Sequence, residues 1–181
     1  MKIERLWAMP SANTFECQPI GDFVRKYLEL CNTSVDPFAR NVGWADYTND
    51  LNPDTSAQYH TKALDFLIML RDWKELAGKI DLIIFDPPYS LRQIKECYDK
   101  VGEFTFEDSK YAGKWTEEKS VCYDLLKVDG YFLHFGWHTN GLGLKNKALI
   151  EEILLVAHGG AHNDTICMAE RKIAHQDVLG I

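Results

Sequence analysis

The chain contains 181 residues, of which 46% are hydrophobic and 26% are charged, and its formal net charge is −7. This length predicts one domain over residues 1–181, because two domains of ordinary size would need a longer chain. The composition is that of a globular protein and the apolar runs are too short for a membrane span, so we expect no membrane partner.

The first half of the chain is predicted to alternate between helices and short strands. Apolar residues spaced three and four apart predict a helix over 20–31. Strands are predicted at 34–35 and 47–50, and a third strand at 59–63 leads into a helix through 67–76.

The second half starts with an apolar run, residues 80–85, which is predicted to be a buried strand. Residues 101–114 are rich in acid, lysine and glycine, and we expect a mobile loop there. The remaining predicted elements are helices at 91–100, 116–127 and 145–149, a turn at 128–130, and strands at 131–135, 153–156 and 165–169.

This alternation predicts an α/β fold, namely a Rossmann-like, doubly wound, mostly parallel sheet of seven strands. The last two strands are joined by a short turn and not by a helix, so we expect the final strand to be antiparallel. Ligands of such sheets bind outside the carboxyl ends of the strands. Four acids follow predicted strand ends on that side: Asp36, Asp50, Asp65 and Asp86.

The cysteines and the N-terminal residues indicate a cytoplasmic protein. Five cysteines are dispersed without a Cys-x-x-Cys pair, which favours reduced thiols over a disulfide framework or a zinc site. The first residues include Glu4 and lack a continuous apolar segment, which argues against a signal peptide.

The acidic balance bears on possible partners. Phosphate neutralisation supplies much of the affinity of nucleic-acid-binding proteins, so an acidic chain needs a local basic patch. A candidate patch lies on the segment after residue 89, with an ordinary solvated face as the equal alternative. It comprises Arg92, Lys95, Lys100, Lys110, Lys114 and Lys119.

The most informative motif is Asp86-Pro87-Pro88-Tyr89, at the end of the strand predicted over 80–85. An amino group on a base ring is a poor nucleophile, and two acceptors that bind its N–H groups can direct its lone pair toward an electrophilic methyl group. The Asp86 carboxylate is one acceptor and the Pro87 carbonyl is the second, since proline fixes the backbone and has no competing N–H. Pro88 stiffens the turn, and Tyr89 offers a ring for base stacking. The alternative is an ordinary proline-rich turn.

Four further segments accompany this motif in a recognisable order, at 14–20, 35–41, 49–53 and 63–67. With these segments the chain resembles the S-adenosylmethionine-dependent amino-methyltransferases of DNA, of the adenine-N6 type, over most of residues 13–171. The resemblance implies S-adenosylmethionine as the cofactor and DNA, with a flipped-out or single-stranded adenine, as the partner.

The resemblance also assigns cofactor-binding roles by position. Phe15 and Pro19 would pack on the cofactor, and Asp36, with Pro37 and Phe38 of the same motif, would lie near its methionine amino group. Carboxylates are good acceptors for ammonium groups, although an aspartate at this place can also be a helix cap or turn residue.

Three more positions complete the implied cofactor site. Asp50 would accept hydrogen bonds from the ribose hydroxyls, and Asp65 with Phe66 would hold the adenine ring of the cofactor. Helix caps or turn aspartates are again the alternative for both acids.

The chain departs from the family pattern in two ways. Residues 39–43 stand where the family has glycines. Asn41 can adopt a left-handed backbone and Gly43 is free to do so, which leaves a tight turn possible. Only residues 172–181 follow the last predicted strand, so we expect no separate target-recognition domain. Selectivity would then be low, come from residues 90–120, or come from a partner chain or a homo-oligomer.

Several polar and aromatic residues near the predicted strand ends are weaker candidates. Trp137 could stack on the substrate base or be a buried structural residue, and His162 could contact the base or belong to a plain polar turn. The His134–His138 and His158–His162 pairs have a spacing that binds metal on a helix, but neither pair is on a predicted helix, so we expect no metal site.

These observations predict a DNA methyltransferase that acts on the N6 amino group of adenine, with Asp86, Pro87, Pro88 and Tyr89 at the catalytic centre. One alternative is the same chemistry on cytosine N4, RNA or a protein amide. Another is a non-catalytic, cofactor-binding subunit of a larger methyltransferase assembly.

Overall fold

The computed structural model describes residues 1–11, 13–98, 115–143, 148–160 and 162–174. Its strands are β1 (Lys2–Trp7), β2 (Ser34–Asp36), β3 (Tyr47–Thr48), β4 (Ile80–Phe85), β5 (Leu126–Gly136), β6 (Ala148–Ala157) and β7 (Thr165–Lys172). Its α-helices are α1 (Gln18–Leu28), α2 (Ala63–Asp72), α3 (Leu91–Tyr98) and α4 (Thr116–Leu125).

The strands form one sheet of seven in the order β1-β6-β7-β5-β4-β2-β3. Neighbours in β3-β2-β4-β5 and in β1-β6 are parallel, whereas β7 runs antiparallel to both β5 and β6. The predicted Rossmann-like α/β sheet with an antiparallel last strand is therefore confirmed.

The central strand β4 is buried at all six positions because helices cover both faces of the sheet. Leu82 and Ile84 pack with α1 on one face, whereas Ile83 and Phe85 pack with α2 and α4 on the other. Successive side chains of a strand point to opposite faces, so an unbroken apolar run is what a doubly covered strand requires.

The N-terminal half differs from the prediction at both edges of the sheet. The predicted strand at 59–63 is reduced to one parallel bridge between Asn49 and Tyr59, and α2 already begins at residue 63. Strand β1 was not predicted, because all six of its residues are exposed and only its pairing with β6 makes it a strand. Helix α1 ends at Leu28, three residues before its predicted end.

The C-terminal half differs where strands replace predicted helix and turn. Strand β5 begins at Leu126, so the predicted turn at 128–130 lies within the strand, with Asp129 at φ 64°. Residues 148–149, predicted as helix, belong to β6 because they pair with β7. The predicted loop at 101–114 lies outside the described residues. No helix in the described part of the chain is long and apolar enough to span a membrane.

Candidate active site

The candidate site lies where β2, β4 and β5 end at the same edge of the sheet. Because β4 is parallel to both β2 and β5, the residues that follow these strands are neighbours. Asp36 ends β2, Asp86 follows β4, and Trp137 follows β5. The fold thus brings together residues that are about fifty positions apart in sequence.

Two cavities flank the segment 86–89. The first, here called the wide cavity, has a volume of about 190 Å³ and is lined by 13–16, 38–44 and Asp86. The second, the narrow cavity, has a volume of about 40 Å³ and is lined by 87–89, Trp115 and 134–138. The motif therefore contributes its acid to one cavity and its two prolines and tyrosine to the other.

Asp86 is held by two hydroxyl groups. The Tyr89 O–H donates to its Oδ1, and the Thr14 hydroxyl also hydrogen-bonds to it. Burial raises the pKa of Asp86 above its ordinary value, and these hydrogen bonds together with the charge of Arg40 only partly oppose that shift. Asp86 therefore combines strong acceptor oxygens with an elevated affinity for a proton.

Tyr89 is fixed at three points. Its backbone N–H donates to Gln93 Oε1 over 2.7 Å, its hydroxyl donates to Asp86, and its ring lies edge-on to Trp137 with 5.8 Å between the ring centroids. Burial, followed by the adjacent Asp86 charge, raises the pKa of Tyr89 well above its ordinary value, so the phenol remains protonated. Two aromatic rings with fixed positions thus border the narrow cavity.

Asp36 is the most deeply buried of the predicted site acids. Only 1% of its surface is exposed, and its Oδ1 accepts a hydrogen bond from the Phe38 N–H over 2.9 Å. Burial raises its pKa well above the usual range, and the nearby Asp86 and Asp50 charges add to the shift. Three of the four predicted acids are thus close enough to influence one another.

Asp50 holds the turn that follows β2. Its Oδ2 accepts from the Arg40 N–H over 3.1 Å and its Oδ1 from the Asn52 N–H over 2.8 Å. Arg40 has a φ of 52°, so the left-handed residue of this turn is Arg40. Neither Asn41 nor Gly43 has a positive φ, so the turn that the sequence allowed forms at Arg40, whose N–H is bound by the Asp50 carboxylate.

Asn49 is an important site residue that the sequence analysis missed. It is fully buried, and its Nδ2 donates to the carbonyls of Pro37 and Thr61, each over 3.1 Å. Its Oδ1 accepts from the Thr61 N–H over 3.1 Å. Asn49 thereby connects the segments after β2 and β3 to the start of α2. Its position directly before Asp50 was the available signal.

The aromatic wall of the wide cavity contains one predicted and one missed residue. Phe15 stacks on Trp44 with 5.7 Å between centroids and an interplanar angle of 17°. The guanidinium of Arg25 lies 5.1 Å from the Trp44 ring centroid. Trp44 was missed because it lies in an irregular loop, although an aromatic residue directly after Gly43 was a usable signal. Pro19, in the first turn of α1, is partly buried.

Other predicted cofactor residues contribute to the core. Pro37 is buried, and Phe38 packs edge-on against Phe85 while also lining the wide cavity. Phe66 is fully buried against Tyr59, and Asp65 is exposed on the first turn of α2. The residues lining the wide cavity, as far as the structure describes them, include neither Asp65 nor Phe66, so the adenine-binding role of this pair stays a prediction.

The weaker candidates separate clearly. Trp137 is 43% exposed beside Tyr89, an arrangement suited to stacking and not that of a buried structural residue. His162 is exposed, and its N–H donates to the Gly159 carbonyl over 3.3 Å, so its base contact stays a prediction. His158 Nδ1 lies 2.9 Å from the Ala8 carbonyl oxygen, and its Nε2 lies 2.9 Å from Thr165 Oγ1. The described residues contain no group of three potential metal ligands.

The candidate basic patch is only partly supported. Arg92 and Lys95 are exposed on α3, but Lys119 is only 4% exposed, so its assignment to the patch was wrong. Lys119 lies on the buried side of α4. Burial lowers its pKa, and the nearby carboxylates of Glu170 and Glu118 partly oppose this shift. Lys100, Lys110 and Lys114 lie outside the described residues.

Comparison with known proteins adds no assignment. No model of a known protein family matches the chain, and no curated protein sequence matches it.

Proposed function

We propose that this protein is an S-adenosylmethionine-dependent methyltransferase that methylates the N6 amino group of adenine in DNA. The position of the motif 86–89 between two cavities supports this proposal best. A group-transfer enzyme needs donor and acceptor on either side of the reacting atoms, and Asp86 faces the wide cavity while Tyr89 borders the narrow one.

The residues of the wide cavity fit a cationic cofactor that carries an aromatic ring. Asp86 supplies negative charge, and Phe15 and Trp44 supply aromatic surface. Asp36 is not among the described lining residues, so its contact with the methionine ammonium stays a prediction. When bound, the cofactor supplies an electrophilic methyl group. The cavity is smaller than common ligand pockets of about 300–1,000 Å³, so we expect residues 39–44 to move outward on binding.

The residues on the other side would orient the amino group. The Asp86 carboxylate and the Pro87 carbonyl accept its two N–H hydrogens, which directs the nitrogen lone pair away from the ring. Tyr89 and Trp137 hold the base by stacking after it leaves the helix. The gain comes from positioning and electrostatics, with no covalent intermediate on the enzyme.

A second candidate is a cofactor-binding subunit that depends on another chain for DNA contact. The burial of Lys119, which removes one cation from the candidate patch, and the net charge of −7 favour it, because affinity for DNA depends on neutralising phosphates. A homo-oligomer or a specificity chain would then supply the missing contacts. We place the protein in the cytoplasm under either proposal.

Transfer of labelled methyl groups to DNA, RNA and protein tests the proposal. We expect N6-methyladenine in digested DNA, no transfer by Asp86→Ala, and unchanged transfer by Asp72→Ala, which alters an exposed acid on α2. Methyl label found in cytosine, RNA or protein, and not in adenine of DNA, would show that the assigned substrate is wrong. Cofactor binding without any transfer would support the binding-subunit alternative.

A further inference from the structure

A buried histidine forms part of the wall of the narrow cavity. His134 is 2% exposed and lies on β5, two residues before the strand ends. Its Nδ1 is buried, and none of the described residues forms a hydrogen bond with it. Buried polar atoms are normally paired, so this imidazole, which belongs to a residue lining the cavity, has hydrogen-bonding capacity that the described residues do not use.

The plane of this imidazole is fixed by its neighbours. It stacks against His138 at 5.2 Å and against Phe85 and Phe132 at 6.4 and 6.5 Å, with interplanar angles of 24°, 22° and 15°. A ring held in this way cannot turn to find another partner. Its hydrogen-bonding direction is therefore set before any ligand binds.

Gly136 keeps a gap between His134 and the motif. A Cβ at Gly136 would lie 3.4 Å from His134 Cε1, 3.9 Å from His134 Nε2 and 3.9 Å from Tyr89 Cδ1, so Nε2 is the ring nitrogen on this side. The side chain of any other residue would therefore fill the space between imidazole and phenol. A flat ligand that stacks beside Tyr89 could bring its edge to His134 through this gap.

The imidazole is neutral under ordinary conditions. Burial, together with the positive charge of Lys119 and the neighbouring His138, lowers the pKa of His134 to about 3. The carboxylates of Glu118 and Glu170 also lie close to Lys119 behind the cavity. A neutral imidazole offers one N–H donor and one acceptor, which suits the uncharged edge of a base.

We propose that His134 recognises the substrate base by donating a hydrogen bond to a ring nitrogen of adenine. This inference rests on the proposed function. Asp86 and the Pro87 carbonyl would bind the N6 amino group, and the two ring nitrogens nearest to that group are N1, which is bonded to C6, and N7, which is bonded to C5. His134 would thus be a specificity-determining residue, and it requires a base with such a nitrogen.

Base analogues that lack one ring nitrogen test this role. Single-stranded oligonucleotide pools of random sequence would contain adenine, 1-deazaadenine or 7-deazaadenine, and kcat/KM for methyl transfer would be measured on each. We expect kcat/KM of the wild type to be about tenfold lower on one of the two analogues than on adenine, because one hydrogen bond is lost. His134→Phe should lose about the same factor on adenine itself and should no longer discriminate against that analogue.

Leu133→Ala is the control, because it alters a buried side chain that packs on the opposite face of the same strand and does not line the cavity. It should keep the wild-type discrimination even if it is less stable. If His134→Phe does not fold, as judged by circular dichroism, the smaller His134→Leu replaces it. Wild-type discrimination in the folded His134 variant would overturn this inference alone. Absence of transfer to adenine by the wild-type protein would overturn the proposed function and this inference together.

Discussion

At the scale of single residues, the site places several carboxylates close together, so their negative charges repel one another. Burial raises the pKa of Asp36 well above its usual range, and the nearby charges of Asp86 and Asp50 raise it further. A folded-state pKa above the unfolded value means that the folded protein binds more protons, so stability falls as pH rises through this interval. Such an arrangement costs stability, and a bound cation would offset the cost.

We predict that Asp36→Asn is more stable than the wild type at neutral pH. The amide oxygen can still accept the Phe38 N–H, while the buried charge is removed. Each 1 kcal/mol gained should raise the melting temperature by about 2–4 °C for a chain of this size. The difference should shrink toward the unfolded pKa of about 3.9, where both forms are neutral.

Thermal unfolding between pH 4 and pH 8 measures this effect, and Asp54→Asn, at an exposed acid, is the control. Equal melting temperatures of wild type and Asp36→Asn at pH 8 would contradict the prediction. A loss of cofactor affinity in the stabilised variant would identify the buried charge as functional.

The hydroxyl of Tyr89 should control the pH dependence of methyl transfer. Its hydrogen bond favours the ionised form of Asp86, so Tyr89→Phe should raise the pKa of Asp86 further while it keeps the stacking ring. Since protonation replaces an acceptor by a donor, kcat/KM should fall as pH is lowered through that pKa. The acid limb of the profile should therefore move to higher pH in Tyr89→Phe. An unchanged limb would exclude Asp86 as the titrating group.

At the scale of elements, the loop after β5 lies so close to β7 that one of its positions, Gly141, has no room for a side chain. Gly141 has a φ of 42°, and a Cβ there would lie 2.0 Å from Glu170 Oε2. The same oxygen accepts the Leu142 N–H over 2.7 Å. The segment that carries Trp137 is thus positioned by a contact that leaves no room for a side chain.

We predict that Gly141→Ala lowers the free energy of unfolding by about 2–4 kcal/mol, because it strains the backbone and displaces a buried carboxylate. Gly160→Ala is a matched control, since Gly160 has a φ of 60° but no atom within 4 Å of its added Cβ. Denaturant unfolding should show a cost of about 1 kcal/mol for the control. Similar losses in the two variants would show that backbone strain alone accounts for the effect.

Local sequence predicted the elements that have a recognisable hydrophobic pattern. It failed for elements and side chains whose structure depends on residues far away in the sequence. Strand β4 and the following motif were recognised because a doubly covered strand is continuously apolar. Strand β1 carries no such pattern and becomes a strand only by pairing with β6.

Two side chains were misjudged for the same reason. Lysines are usually exposed, but Lys119 is buried because α4 packs near Glu170 of β7. Asn49 was missed because its partners, Pro37 and Thr61, are each twelve residues away.

At the scale of the whole molecule, the net charge of −7 limits how nucleic acid can bind. Few phosphate contacts imply weak electrostatic binding with a shallow dependence on salt. The exposed cations on α3 follow the motif directly, so they are the described residues best placed to contact the backbone beside the target base.

We predict that Lys95→Ala reduces the slope of log affinity against log salt concentration by about one unit. Lys74→Ala is the control, because Lys74 is also exposed but lies between the end of α2 and the start of β4, before the strand whose carboxyl end carries the motif. Fluorescence anisotropy with a labelled single-stranded oligonucleotide gives both slopes. Identical slopes for Lys95→Ala and the wild type would contradict a contact between Lys95 of α3 and the DNA backbone.

The position of β1 also has a consequence for the order in which the protein forms. Strand β1 is made before its partner β6, which begins only at Ala148. The core strand β4 and helices α1 and α2 are all complete before that partner exists. During synthesis β1 must therefore remain unpaired until β6 has been made, and its pairing is a late, long-range step of folding.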